Sequence, residues 1–150
     1  MLRVSVASPQ EIVPVERAPL RQIARAVLEG EDVGEAEISL AFVDNATIHQ
    51  LNKRYLQHDE PTDVLTFPLS EPSSRKLAGE IVIGAEVALA QAQAQGHDVQ
   101  AELALYVIHG ILHLCGYEDK SSADAIKMHQ RERHYLRLLG LPDIAPVVEE

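Results

Sequence analysis

The stretch VQAELALYVIHGILHL, residues 99–114, is apolar almost throughout. It reads as a helix that the fold must bury, because a helix apolar on all sides has no face to give to water. Two ionisable rings, His109 and His113, nevertheless sit inside it. Gly116 follows at the position where a left-handed residue closes a helix. Tyr117, Glu118 and Asp119 come next.

The rest of the chain supplies elements to pack around such a helix. Residues 2–7 (LRVSVA) alternate as a strand does, and residues 36–43 (AEISLAFV) repeat the pattern with Ile38, Leu40 and Phe42 on one side. Between them, about Glu16 to Glu29, Leu20, Ile23, Ala24, Val27 and Leu28 fall on one helical face. Asp44 is placed to cap a helix running to about Leu56, with Ile48, Leu51 and Tyr55 inward. HDEPT (58–62) breaks that helix, DVLTFP (63–68) reads as a short strand, and SEPSSRKLA (70–78) as a surface loop. GEIVIG (79–84) is a strand between two glycines. An alanine-rich helix then ends at Gly96, and the last helix spans about Ser121 to Leu139. Four short strands among several helices predict an α+β fold, one mixed sheet with helices packed mainly on one face.

At 150 residues, without internal repeat or dividing linker, residues 1–150 are expected to form one domain. With no Trp, its core must rest on Leu, Ile, Val and Ala. The single cysteine, Cys115, excludes an internal disulfide and suits a reducing compartment. The start of the chain lacks the apolar run of a signal peptide, and no stretch has the length of a membrane span. A cytoplasmic enzyme or binding protein is the expectation.

The net charge of −10 speaks against a generic nucleic-acid binder, whose affinity comes largely from phosphate neutralisation. Basic residues do cluster locally, at Arg17, Arg21 and Arg25, at Lys53 and Arg54, and at Lys127, Arg131, Arg133 and Arg137. Each cluster taken alone reads as a solvated helix face.

Residues four apart on a helix stack on one face, so His109 and His113 point the same way, as two imidazoles must to share an ion. Gly110 is expected to leave room beside them. The turn at Gly116 brings a third group back, and Glu118 and Asp119 are the carboxylates available there. Two imidazoles and a carboxylate make a donor set suited to zinc with water in the open position. Cys115, two residues beyond His113, faces away from the pair and reads as a small buried hydrophobe. Tyr117 is expected to pack over the turn, and His49, His97, His129 and His134 read as surface or loop residues. The metalloprotease pattern H-E-x-x-H places its general base directly after the first histidine; Gly110 stands there, which disfavours peptidase chemistry.

With these residues in view, HGILHLCGYED (109–119) resembles the H-G-x-L-H-L-x-G-Y-D-H signature of the YbeY family of rRNA maturation factors and endoribonucleases. LNKRYLQHDEPTDVLTFP (51–68) is similar to the family's L-N-x-x-Y-R-x-x-D-x-P-T-D/N-V-L-S-F-P block, and GEIVIG to its G-D-I-V-I-S strand. Met128 and Glu132 stand where the family's terminal helix carries the same residues. The resemblance spans Asp44 to Gly140. It implies a zinc-dependent, single-strand-specific endoribonuclease acting in 16S rRNA 3′-end maturation and ribosome quality control. It implies one Zn²⁺ per chain, other divalent transition metals being the alternative. The implied partners are single-stranded rRNA and ribosomal particles, with ribosomal proteins or an assembly GTPase beside them.

Carried across residue by residue, the first two ligands are His109 and His113, and the third, a histidine in the family, falls on Asp119. An arginine that the family places near the metal falls on Leu56. An aspartate ligand lowers the net charge of a zinc centre from +2 to +1, and the missing arginine removes a phosphate contact. Weaker or differently tuned nuclease activity is the expected result. Arg54, Lys53 or His58 is expected to replace the lost contact. Asp63 reads either as a strand-start cap or as a cleft residue, and Glu118 either as an exposed turn acid or as a group orienting a ligand. Two other functions stay open: a ribosome-assembly factor with a structural metal and little or no cleavage, and a metal-dependent hydrolase of another substrate.

Overall fold

The computed structural model describes residues 1–58, 60 and 62–147. The order is β1 (Leu2–Ala7), α1 (Arg17–Gly30), β2 (Ala36–Val43), α2 (Asn45–Leu56), β3 (Val64–Pro68), β4 (Leu77–Gly84), α3 (Ala85–Gln95), α4 (Val99–Leu114) and α5 (Ser122–Leu138). The four strands form one mixed sheet in the order β1-β2-β4-β3. β1 and β4 run parallel to β2, and β3 pairs antiparallel with β4 at the edge. This is the α+β architecture expected. Pro68 ends the edge strand β3, where a missing N–H costs no central ladder bond.

The period-2 patterns of β2 and β4 sort their side chains cleanly. Ile38, Leu40, Phe42, Ile81 and Ile83 enter the main core with α1 and α4, while Val43, Leu65 and Val82 turn to the opposite face and meet Ile48 of α2. Burying a side chain of this size stabilises the fold by about 1.5–3 kcal/mol. Helix α4 is the central element. Its residues 103–108, with Gly110, Ile111 and Leu112, are all buried. It packs against α1, α3, α5, β3 and β4.

Capping follows the sequence closely. Asp44 accepts from the Thr47 N–H at 2.8 Å, Asp98 from Gln100 at 3.1 Å, and the Ser121 hydroxyl from Asp124 at 3.1 Å. Gly116, at φ 107°, reverses the chain after α4 in a region that side chains other than glycine rarely adopt.

Three local expectations need correction. Tyr55 is 54 % exposed rather than inward. Its ring meets Phe67 of the edge strand β3 edge-on at 5.6 Å, so the last turn of α2 lies over the sheet margin. The inward polar position there is Asn52, whose amide donates to the Glu60 carbonyl at 2.9 Å and ties down the following loop. The surface loop is shorter than expected, since Leu77 and Ala78 already pair with Ala36 and Glu37 of β2. Gly110 does not make room for the histidines. A Cβ there would stand 2.7 Å from Cγ2 of Ile81, so glycine is what lets α4 approach β4. Asp59 and Pro61, part of the expected break after α2, lie outside the described residues.

Candidate active site

His109 and His113 project from the same side of α4, their rings parallel within 9° and 6.2 Å apart between centroids. Each is held through Nδ1. His109 donates to Oε2 of Glu132 on α5 at 2.6 Å, and His113 donates to the Tyr117 carbonyl at 2.8 Å. With Nδ1 donating to these acceptors, each ring in its neutral form keeps a lone pair on Nε2. The Gly116 turn sets the second bond, because it swings the Tyr117 carbonyl back under the helix end.

The same turn brings Asp119 to His109. Its Oδ2 lies 3.6 Å from His109 Nε2, and its side chain is 43 % exposed. Two ligands on one tetrahedral zinc stand about 3.3 Å apart, given Zn–N and Zn–O bonds of about 2.0–2.1 Å. The spacing and the bare Nε2 atoms fit an ion. Among the described residues, no three His, Cys, Asp or Glu side chains stand close enough together to hold a metal ion. His113 would therefore have to draw toward the Asp119–His109 pair.

His109 and Asp119, though not His113, border a cleft of about 560 Å³ whose lining also includes Asp63, Glu102, His129 and Glu132. Asp63 holds both roles considered for it. Its Oδ1 accepts from the Val64 N–H at 2.8 Å, capping β3, and the residue also faces the cleft. Gly84 positions it, since the Gly84 N–H donates to the Asp63 carbonyl at 2.8 Å, and a Cβ at Gly84 would strike the Thr62 carbonyl.

The electrostatics are acidic. No Lys or Arg borders this cleft among the described residues. Burial works to lower the pKa of His109, but the Glu132 hydrogen bond and the charges of Glu132, Asp63 and Asp119 outweigh it and raise the pKa above the ordinary histidine value. A proton and a metal ion would therefore compete for Nε2 of His109.

Other expected residues lie elsewhere. Glu118 is exposed and borders a separate cleft of about 390 Å³ with Glu31, Cys115 and Lys127. Arg54, Lys53 and His58 are exposed at the end of α2 and just beyond it, and none lines the His109 cleft; Arg54 lies over the Tyr55 ring at 5.4 Å. Leu56 is 52 % exposed nearby. The C-terminal basic cluster is largely engaged within the fold. Arg131 pairs with Glu31 at 2.7 Å, and Arg133 and Arg137 both pair with Asp143. Arg21 donates to the Val4 carbonyl at 3.1 Å and so covers the edge strand β1. Cys115 packs against the main core, and burial together with the Glu31 charge pushes its thiol up to about 11.

Two histidines read as surface or loop residues are tied to buried carboxylates. His129 donates to Oε1 of Glu132 at 2.7 Å and lines the His109 cleft. His97, in the turn after α3, pairs with the buried Glu102 at 2.5 Å. The available signal was local. His129 and Glu132 are three apart on one helix, and His97 and Glu102 flank the start of α4.

Comparison with known proteins places the chain in a family. Residues 6–140 match the family model described as Endoribonuclease YbeY. The chain is 38 % identical over 154 aligned positions to Endoribonuclease YbeY of Moorella thermoacetica, covering 93 % of this chain and 99 % of that protein. It is 42 % identical over 128 positions to Endoribonuclease YbeY of Desulfitobacterium hafniense, covering 79 % and 82 %. The solution structure of TM1509 from Thermotoga maritima superposes with a TM-score of 0.60 at 28 % identity, over 93 % of this chain and 92 % of that one. By its sequence over nearly its whole length, this chain belongs to the Endoribonuclease YbeY family.

Proposed function

We propose that this protein is a metal-dependent endoribonuclease that cuts single-stranded RNA. In this reading, Nε2 of His109, Nε2 of His113 and the Asp119 carboxylate hold one zinc ion. The observation that carries the reading is the pairing of His109 Nε2 with Asp119 Oδ2 at 3.6 Å, with the opposite ring nitrogen held by Glu132. The names of the relatives supply the substrate class.

When bound, zinc would supply Lewis acidity to the phosphodiester and acidify water. The chain's own residues do the rest. Glu132 and the Tyr117 carbonyl keep both rings in the tautomer that leaves Nε2 bare. Asp63 spends one oxygen on the β3 cap, which leaves Oδ2 to accept a proton from the attacking water. Asp63, Glu102, Asp119 and Glu132 make the empty cleft hostile to a polyanion, so a cation is needed before phosphate can enter. The finer role is the one the sequence resemblance implies: 16S rRNA 3′-end maturation and ribosome quality control, on rRNA within ribosomal particles.

The test is cleavage of single-stranded rRNA fragments by purified protein. Cutting that is stopped by a chelator, restored by zinc and absent in folded His113→Ala supports the reading. Equal cutting by wild type and His113→Ala contradicts it.

A further inference from the structure

Glu132 holds a second imidazole besides His109. The carboxylate is only 1 % exposed, and its two oxygens take one ring each: His109 on Oε2 at 2.6 Å and His129 on Oε1 at 2.7 Å. Both rings border the same cleft. When Nδ1 donates to Glu132, the His129 ring in its neutral form carries its lone pair on Nε2, and that atom has no hydrogen-bond partner among the described residues.

The chemistry of that lone pair selects its ligand. It accepts a hydrogen bond and gives none. A phosphodiester oxygen is also only an acceptor, and the surrounding carboxylates repel it further. A sugar hydroxyl is a donor without charge. The 2′-hydroxyl is the group that separates RNA from DNA at a given position. The cleft, at about 560 Å³, has the volume of an ordinary ligand pocket, about 300–1,000 Å³.

We infer that His129 is a specificity residue whose Nε2 accepts a hydrogen bond from a ribose 2′-hydroxyl beside the reacting phosphate. The inference rests on the endoribonuclease reading above. It gives α5 two tasks through one carboxylate, steadying a metal-facing ring and a sugar-facing ring. It assigns His129 no metal.

The probe is a single-stranded RNA and the same strand with 2′-fluoro sugars, which keep the sugar shape and remove the donor. Binding to the zinc-loaded protein is read by stopped-flow anisotropy before cleavage, with zinc content measured alongside. Wild type is expected to prefer the ribose strand by roughly five- to tenfold, the worth of one net hydrogen bond. His129→Asn keeps a donor for Glu132 but has nothing at the Nε2 position. It should bind both strands equally and retain its zinc. His129→Gln, whose amide oxygen can reach the cleft, should recover part of the preference.

The inference is overturned if His129→Asn discriminates as wild type does, if wild type binds both strands alike, or if His129→Asn loses zinc. In each of these cases, chelator-sensitive RNA cutting by wild type leaves the endoribonuclease reading standing. A wild type that neither binds nor cuts RNA overturns both.

Discussion

His109 and Glu132, twenty-three residues apart on different helices, meet at 2.6 Å with the carboxylate 1 % exposed. A buried carboxylate that fixes the outer nitrogen of a histidine sets its tautomer, its orientation and its basicity as a ligand. Replacing Glu132 by Ala removes that hold and also the support of His129. Zinc affinity is expected to fall roughly 10- to 100-fold, read by competition with a chromophoric chelator. Unchanged affinity would show that the bond plays no part in metal binding.

The charge of Asp119 should be visible in a pH–rate profile. An anionic third ligand leaves the centre less positive than a neutral one, so water there is less acidic. Asp119→His should move the alkaline-rising limb of RNA cleavage to lower pH while zinc is retained. A limb that stays in place, or moves up, contradicts the electrostatic argument.

Gly110 sits where α4 meets β4, and a methyl group there would come within 2.7 Å of Ile81. Gly110→Ala should lose about 1–3 kcal/mol in urea unfolding through overpacking. In Ile81→Ala, itself destabilised, the same substitution should cost much less. Additive losses would place the strain elsewhere.

Glu31 links α1 to α5 through Arg131 at 2.7 Å and the Tyr135 hydroxyl. Burial works to raise its pKa, but hydrogen bonds from Tyr135, Arg131 and Tyr117 and the charge of Arg131 outweigh this and hold it below the ordinary glutamate value. A depressed carboxylate contributes stability that is complete above its unfolded pKa and is lost as pH falls through the folded one. The stability gap between wild type and Glu31→Gln should thus be constant above about pH 5 and close steadily as pH falls below it. A gap independent of pH down to acid would remove Glu31 as the titrating group.

The same carboxylate bears on Cys115. With its thiol pushed up to about 11, the thiolate is scarce at neutral pH, and alkylation should be far slower than for a free thiol. Glu31→Gln should speed it. A fast reaction in the folded wild type would contradict the burial argument.

Much of this architecture was legible in local pattern. The strand alternation of β1 and β2, the apolar stripe of α1, the caps at Asp44 and Ser121 and the glycine turn at Gly116 are short-range signals, and the structure follows them. The i, i+4 spacing also brings the His109 and His113 rings side by side. What periodicity does not carry is the meeting of distant elements. The packing role of Gly110 depends on Ile81 of β4, and the inward turn of His129 depends on Glu132 closing on His109 from another helix. Charge counting misled for the same reason, because Arg131, Arg133 and Arg137 find acids outside their own helix.

The central claim is that two imidazoles on α4 and the Asp119 carboxylate bind one ion together. The direct measurement is metal content of protein prepared without added metal, for wild type, Asp119→Ala and Asp119→His, each confirmed folded by circular dichroism. About one zinc per chain is predicted in wild type and Asp119→His, and little in Asp119→Ala. Full zinc occupancy in Asp119→Ala would contradict the claim.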